Sequence, residues 1–248
     1  MGLGSVRTMV GQPVGVRIGE TMAKKTDVEK KAKKKATAHT RYYLENKRLV
    51  PGLTTVLGIL NKPALVPWAN KLGLEGVSVN DYVSELAEIG TLGHRMITDG
   101  LVGIQTNTED YTTNQIDAAD NSVLSFLAWQ EENPIEEVYW VEKPLVSNVQ
   151  QFGGTADIYC RINGKNELIE MKTGKGIYPE HIWQVAVQKL LCEENDYPVD
   201  RCRVLNIPRS EDEAFLEHIL TDKEIRIGQE IFLHCLAIYY LKKEEKQG

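Results

Sequence analysis

Two β-rich runs, Phe152–Ile162 and Glu167–Lys172, flank an Asn163-Gly164 pair, and no other feature limits the fold of this chain as strongly. Asn-Gly between strands favours a type I′ turn, whose two central residues both need positive φ, so the runs are expected to form an antiparallel hairpin. A third strand-like run, Glu136–Val146, precedes them. Amphipathic helices are expected over Asp81–Leu101, capped near Asn80/Asp81, and over about Asn114–Gln130, which stops at Asn133-Pro134. After the hairpin come a helix at Pro179–Glu194, strands at Arg203–Ile207 and Phe215–Ile219, and a terminal helix at Asp222–Lys243. Nearer the start, Thr54/Thr55 are placed to cap the apolar stretch Val56–Leu60, and Pro63 and Pro67 bracket a connection to a helical turn at Trp68–Leu72. This order predicts an α/β (α+β) domain with a central mixed β-sheet flanked by helices.

The hairpin also carries the chemistry. Alternation along its second strand puts Glu170 and Lys172 on one face and Ile169 and Met171 on the other. Asp157, on the preceding strand, is placed to lie beside Glu170. Two carboxylates and an ammonium at the end of a strand pair suit a metal site, with hard oxygen ligands for Mg²⁺ and a lysine to orient water or neutralise developing negative charge. Glu-x-Lys alone is common here, recurring at Glu29/Lys31, Glu45/Lys47 and Glu244/Lys246 in charged, solvated segments. Only Glu170/Lys172 stands in an apolar strand behind a Gly-Gly-x-x-Asp run.

His94 lies on the apolar side of the first long helix and follows Gly90-Thr-Leu-Gly93, glycines that suit a close approach to the backbone. It is either a satisfied core histidine or, as a neutral imidazole, a third or fourth metal ligand. The helix at 179–194 has a polar stripe of His181, Gln184 and Gln188. Their partners are either internal hydrogen bonds or a metal-bound water or phosphate. Thr173-Gly-Lys175-Gly is no phosphate-binding P-loop, since residue 169 is Ile and no Ser/Thr follows Lys175.

A net charge of −6 across 248 residues argues at first against a nucleic-acid partner. The distribution argues otherwise. Residues 1–50 hold 12 basic and 4 acidic residues, a balance of +8, and the remainder holds 17 and 31, a balance of −14. Residues 1–38 are therefore expected to be a flexible basic arm, with seven lysines in Lys24–Lys35, ahead of a single domain at 39–248. That arm is a solvated tail or a DNA tether. Cys160, Cys192, Cys202 and Cys235 form no C-x-x-C pair, which suits buried, reduced thiols in a cytosol-like compartment. No 18-residue apolar stretch or apolar signal core is present, so no membrane association is expected.

Taken in order, Gly90-x-x-Gly-His94, Gly154-x-x-Asp157, Glu170-x-Lys172-Thr-Gly and Gln184 on the next helix resemble the PD-(D/E)XK nuclease superfamily. The resemblance is strongest to its RecB-type exonuclease branch, which includes phage exonucleases and the mitochondrial genome maintenance exonuclease. Val50-Pro-Gly-Leu-Thr-Thr-Val-Leu57, Lys62-Pro and Trp68 resemble that branch's Pro-Ser-Val-Thr-Thr-x-Leu…Lys…Trp lead-in. The matches span about residues 41–192; each motif is weak alone, and their order is what is specific. Gln188 stands where the Tyr of the Gln-x-x-x-Tyr motif is expected, and Gly52 where the lead-in has Ser.

The resemblance implies a restriction-endonuclease-like core that binds Mg²⁺ or Mn²⁺ through His94, Asp157, Glu170 and the backbone carbonyl of Met171. Lys172 would be the catalytic lysine, and Gln184, Thr173 and Gln188 candidates for substrate contact. It further implies a cytoplasmic, phage-like DNA exonuclease (in the host cytoplasm if viral) acting on ends, with single strands a candidate preference. Its setting would be DNA replication, recombination or repair, with a replication or recombination protein as candidate partner. A structure-selective endonuclease and a DNA-binding module that cuts nothing are the alternatives. The cysteines lack the clustering of the iron–sulfur members, so no such cluster is expected.

Overall fold

Asn163 and Gly164 take φ of +50° and +70°, the two left-handed residues of a type I′ turn, and the hairpin they close organises the protein. The computed structural model describes residues 40–246; the basic arm expected at 1–38 falls outside them. In chain order the elements are β1 (Tyr42–Tyr43), β2 (Leu49–Val50), α1 (Leu53–Leu57), α2 (Leu65–Leu74), α3 (Val79–Leu101), α4 (Thr113–Glu132), β3 (Ile135–Ser147), β4 (Phe152–Ile162), β5 (Lys165–Lys172), α5 (Pro179–Glu194), β6 (Arg201–Asn206), β7 (Leu216–Ile219) and α6 (Asp222–Glu245).

Five strands pair in the order β3-β4-β5-β6-β7. The first three form an antiparallel meander, α5 carries the chain over to β6 parallel to β5, and β7 returns antiparallel on β6. The sheet is thus mixed and flanked by helices, as the element order predicts. On one face Phe152, Tyr159, Leu168 and Val204 pack with Val56 of α1, Val185 of α5 and Phe232 of α6. On the other, Ile158, Cys160, Ile169 and Met171 pack with Ile97 of α3 and with Phe126 and Trp129 of α4. Burial on both faces explains why β4 and β5 are nearly continuous apolar runs.

Parallel pairing of β5 with β6 sets Glu167 opposite Arg201. Glu167 is fully buried and bonds Arg201 at 2.7 Å and Arg203 at 2.8 Å, so its charge is paired on both sides. The four cysteines are free and buried, Cys160 in one core and the other three in the opposite one. Burial pushes the thiols of Cys160, Cys192 and Cys202 up to about 12, as inert structural cysteines require. No described helix is long and apolar enough to cross a membrane.

Several element ends differ from expectation for identifiable reasons. Helix α3 begins two residues early because Ser78, not Asn80/Asp81, caps it by accepting the Asp81 N–H. Thr112 and Gln115 form a reciprocal capping box that starts α4 at Thr113. Thr54 and Thr55 lie inside α1 rather than capping it. The chain is pinned just ahead, where Gly52 bridges Gly153 and the Gly153 N–H donates to the Pro51 carbonyl at 3.0 Å. Pro67 sits in the first turn of α2, where its missing N–H would have had no helical partner.

Gly153 is required by the same crossing. The Tyr42 ring lies directly on it, and a Cβ there would come within 2.3 Å of that ring. Tyr42 then reaches across β4 to share a 2.9 Å hydrogen bond with the Thr155 hydroxyl.

Candidate functional site

The β4–β5 ladder stops at Ile158–Ile169, one residue short of Asp157 and Glu170. Past that point the Met171 N–H, turned toward β4, is taken by the Asp157 carboxylate at 2.8 Å instead of by backbone. The carbonyl of Lys172, the next residue, accepts the Ile207 N–H on the β6 side, so strand alternation leaves the Met171 carbonyl on the opened β4 edge. Side chains gather in this opening.

Helix α3 reaches the opening because its glycines allow close approach. A Cβ at Gly90 would lie 2.5 Å from the Thr173 hydroxyl, and one at Gly93 would lie 3.3 Å from Ser122 of α4. Thr173 therefore packs on α3. One turn beyond Gly90, His94 faces Asp157 with Nδ1 3.5 Å from Oδ2.

Helix α5 supplies the amides. Lys172 Nζ donates to Glu170 Oε1 at 2.5 Å and to Gln184 Oε1 at 2.9 Å, and Gln184 Nε2 also donates to Glu170 Oε1. Gln188 Nε2 donates to Glu170 Oε2 at 2.7 Å and to the Thr155 carbonyl at 2.9 Å. The amide at 188 thus contacts the carboxylate directly, in the position where the resemblance expects a tyrosine hydroxyl. His181, the third polar residue of the stripe, serves the helix start, its Nδ1 accepting the Tyr178 N–H at 3.3 Å. Beside it, Glu180 pairs with Lys62 at 2.7 Å, which ties the lead-in segment to α5.

His94, Asp157, Glu170, Lys172, Gln184 and Gln188 are therefore brought together, with the Met171 backbone at their edge. A further carboxylate joins them that the motifs did not single out. Val141 and Lys143 of β3 pair with Ile158 and Ala156, which sets Glu142 opposite Asp157. The signal that finds it is strand register, not residue pattern. Glu142, Thr155, Gln184 and Gln188, with Tyr42 and Thr55, line a cavity of about 330 Å³ beside the carboxylates.

Among the described residues, the electrostatics are those of crowded acids around one cation. Burial pushes the Asp157 carboxyl up to about 6, against the opposing pull of Lys172 and the Met171 N–H. Partial burial, then the charges of Asp157 and Glu170, raise Glu142 to about 8. Burial and Asp157 hold Glu170 above the usual carboxylate range as well. For Lys172 burial works downward, but the Glu170 and Asp157 carboxylates more than offset it, so the ammonium is held above its ordinary value. Burial, with Lys172 nearby, pushes His94 down to about 4, which leaves a neutral imidazole at physiological pH.

These donors fit a divalent ion. One ligand atom from each of His94, Glu142 and Asp157 lies within 4.8 Å of the other two. The carboxylate oxygens suit Mg²⁺ or Mn²⁺, and the neutral imidazole adds a nitrogen donor of the kind that favours a transition ion such as Mn²⁺ over Mg²⁺.

No family model matches the chain, and no curated protein matches it. Among solved structures, an alkaline exonuclease from Laribacter hongkongensis is similar at 17% identity, over 66% of this chain and 92% of its own, with a TM-score of 0.32. The same exonuclease in complex with dAMP aligns at 16% identity with the same coverage and TM-score. A provisionally assigned exonuclease from Eubacterium rectale aligns at 9% identity over 64% of this chain and 83% of its own, with a TM-score of 0.35. At these TM-scores the likeness is partial, and the chemistry of the site rests on its own residues.

Proposed function

We propose that this protein is a divalent-metal-dependent nuclease of the PD-(D/E)XK type that hydrolyses DNA from its ends. The observation that carries this reading is the convergence of His94, Asp157, Glu170 and a protonated Lys172 where the β4–β5 ladder opens. A bound Mg²⁺ or Mn²⁺ would supply Lewis acidity, polarising phosphoryl oxygens and lowering the pKa of water. His94 and Asp157 would hold it, with Glu170 and the Met171 carbonyl as the ligands that the motif resemblance adds.

The chain's own residues do the rest. Asp157 is kept in one orientation by the Met171 N–H. Gln184 and Gln188 fix both oxygens of Glu170, and Glu170 with Gln184 aims Lys172. An ammonium held between Glu170 Oε1 and Gln184 Oε1 is placed to stabilise the negative charge that builds on the phosphorus-bound oxygens. Lys172 is thus the electrostatic stabiliser in this reading.

Degradation of linear single- and double-stranded DNA, end-labelled at 5′ or 3′, tests the proposal. With Mg²⁺ or Mn²⁺ the label is released from linear DNA, circles are spared, and EDTA stops the reaction. Cutting of circles would reassign the protein as an endonuclease of the same type. Salt-sensitive binding without cleavage under any divalent ion would leave only a DNA-binding module.

The lysine-rich arm is assigned the role of DNA tether. Deleting residues 1–38 is expected to weaken binding to linear DNA and flatten its dependence on salt, since fewer phosphate contacts release fewer counterions. Binding isotherms across a salt series check this; unchanged affinity and slope would make the arm a solvated tail.

A further inference from the structure

We propose that Glu142 is a ligand of the divalent cation, a role that no sequence motif of this chain assigns to it; the inference rests on the metal-dependent reading above. Donor geometry comes first. The set whose ligand atoms already lie mutually within 4.8 Å consists of His94, Glu142 and Asp157, and Glu170 is not part of it. Oxygens bound to one cation at about 2.1–2.5 Å can lie no more than about 5 Å apart, so this set closes on an ion with little movement.

Glu170 is engaged elsewhere. Its Oε1 accepts from Lys172 and Gln184 and its Oε2 from Gln188, which uses three of roughly four acceptor positions of a carboxylate. Among the described residues, no hydrogen bond or ion pair engages the Glu142 carboxylate, which is solvent-exposed at the mouth of the opening. Among the described residues, three carboxylates, Glu142, Asp157 and Glu170, face one ammonium, that of Lys172, an imbalance that a divalent cation removes.

Two independent features point to the same place. Glu142 has φ of +47° inside a strand, a left-handed conformation that is costly for a non-glycine residue and that gathers at functional positions. Its placement opposite Asp157 occurs there despite that strain. Gln188, only 1% exposed, lines the same cavity as Glu142, and its Oε1 has no hydrogen-bond partner among the described residues. A buried acceptor of this kind calls for a donor, and the hydration water of a cation beside Glu142 supplies one.

Calorimetric titration of the full chain with Mn²⁺ tests the role, comparing wild type with Glu142→Gln. The glutamine keeps the shape and removes the charge of an exposed side chain, and melting in EDTA at or above the wild-type temperature verifies that the variant is folded. The expected result is Mn²⁺ affinity at least about tenfold weaker than wild type, the minimum loss typical of disturbing a metal site's supporting groups. Wild-type affinity in the folded variant would overturn the role of Glu142 and leave the nuclease reading standing. A wild-type protein that binds no Mn²⁺ would overturn both.

Discussion

Lys172→Ala is expected to slow metal-dependent release of nucleotides from linear DNA by about 10²–10³-fold, the usual loss when one preorganised donor is removed. Lys172 is largely buried, and its ammonium is pinned between Glu170 Oε1 and Gln184 Oε1. Reaction would therefore need no reorganisation of this charge, which is the condition under which an electrostatic group is worth most. Substitution by Arg is expected to fail nearly as badly, because a planar, forked guanidinium cannot take the place of a compact ammonium between those two oxygens. Single-turnover rates with saturating Mg²⁺ are the measurement. Mn²⁺ titration of the same variants separates lost chemistry from lost metal, since no ligand has been removed. A Lys172→Ala rate equal to wild type would falsify the assignment of the site.

Much of this arrangement is legible in the amino-acid order, and the parts that are not share a cause. The hairpin is legible because strand period and Asn-Gly turn chemistry are both local, and β4 runs over Phe152–Ile162 as the pattern predicts. Grouping Asp157, Glu170 and Lys172 needs only that hairpin and its alternation. Gln184 and Gln188 stand out as amides on an otherwise apolar helix, and the structure spends both on Glu170.

Glu142 is different. It belongs to a run with Glu136, Glu137 and Lys143, and nothing local distinguishes an acid on a solvated edge from one brought opposite Asp157. That depends on β3 register, which two irregularities between Ile135 and Trp140 shift, and on one left-handed residue. The pairing of Glu167 with Arg201 and Arg203 likewise exists only once β5 and β6 run parallel in one register. The start of α4 was legible: Thr112-x-x-Gln115 is a capping-box spacing, and a search by apolar period alone passes over it.

The crowding of carboxylates leads to the second large effect. Asp157→Asn should make the protein more stable than wild type by about 1–3 kcal/mol at pH 8 in EDTA, while abolishing stabilisation by Mn²⁺. Burial raises the Asp157 carboxyl to about 6, whereas an unfolded chain titrates Asp near 4. Folded protein thus binds this proton the more tightly, and the stability it contributes is complete below about pH 4 and lost as pH rises through about 6. At about 1.36 kcal/mol per unit, the full loss is about 3 kcal/mol. Glu142, raised to about 8, acts in the same direction over a wider window, more weakly because its side chain is exposed.

His94 works the other way. Pushed down to about 4 by burial and Lys172, it loses stability as pH falls from about 6.5 toward 4 and contributes no penalty at pH 8. The asparagine removes the Asp157 penalty yet keeps an oxygen to accept the Met171 N–H. With Mn²⁺ at about a hundred times its Kd, wild type gains about 2.7 kcal/mol and the variant little, so the advantage of the variant disappears. Urea denaturation at pH 8, in EDTA and in Mn²⁺, reads both signs. Repetition at pH 5 in EDTA should shrink the gap to about half, because the folded carboxyl is then mostly protonated. A variant less stable than wild type at pH 8 in EDTA would mean that Lys172 and the backbone amide more than offset the burial of Asp157, and that no metal is needed to hold this opening together.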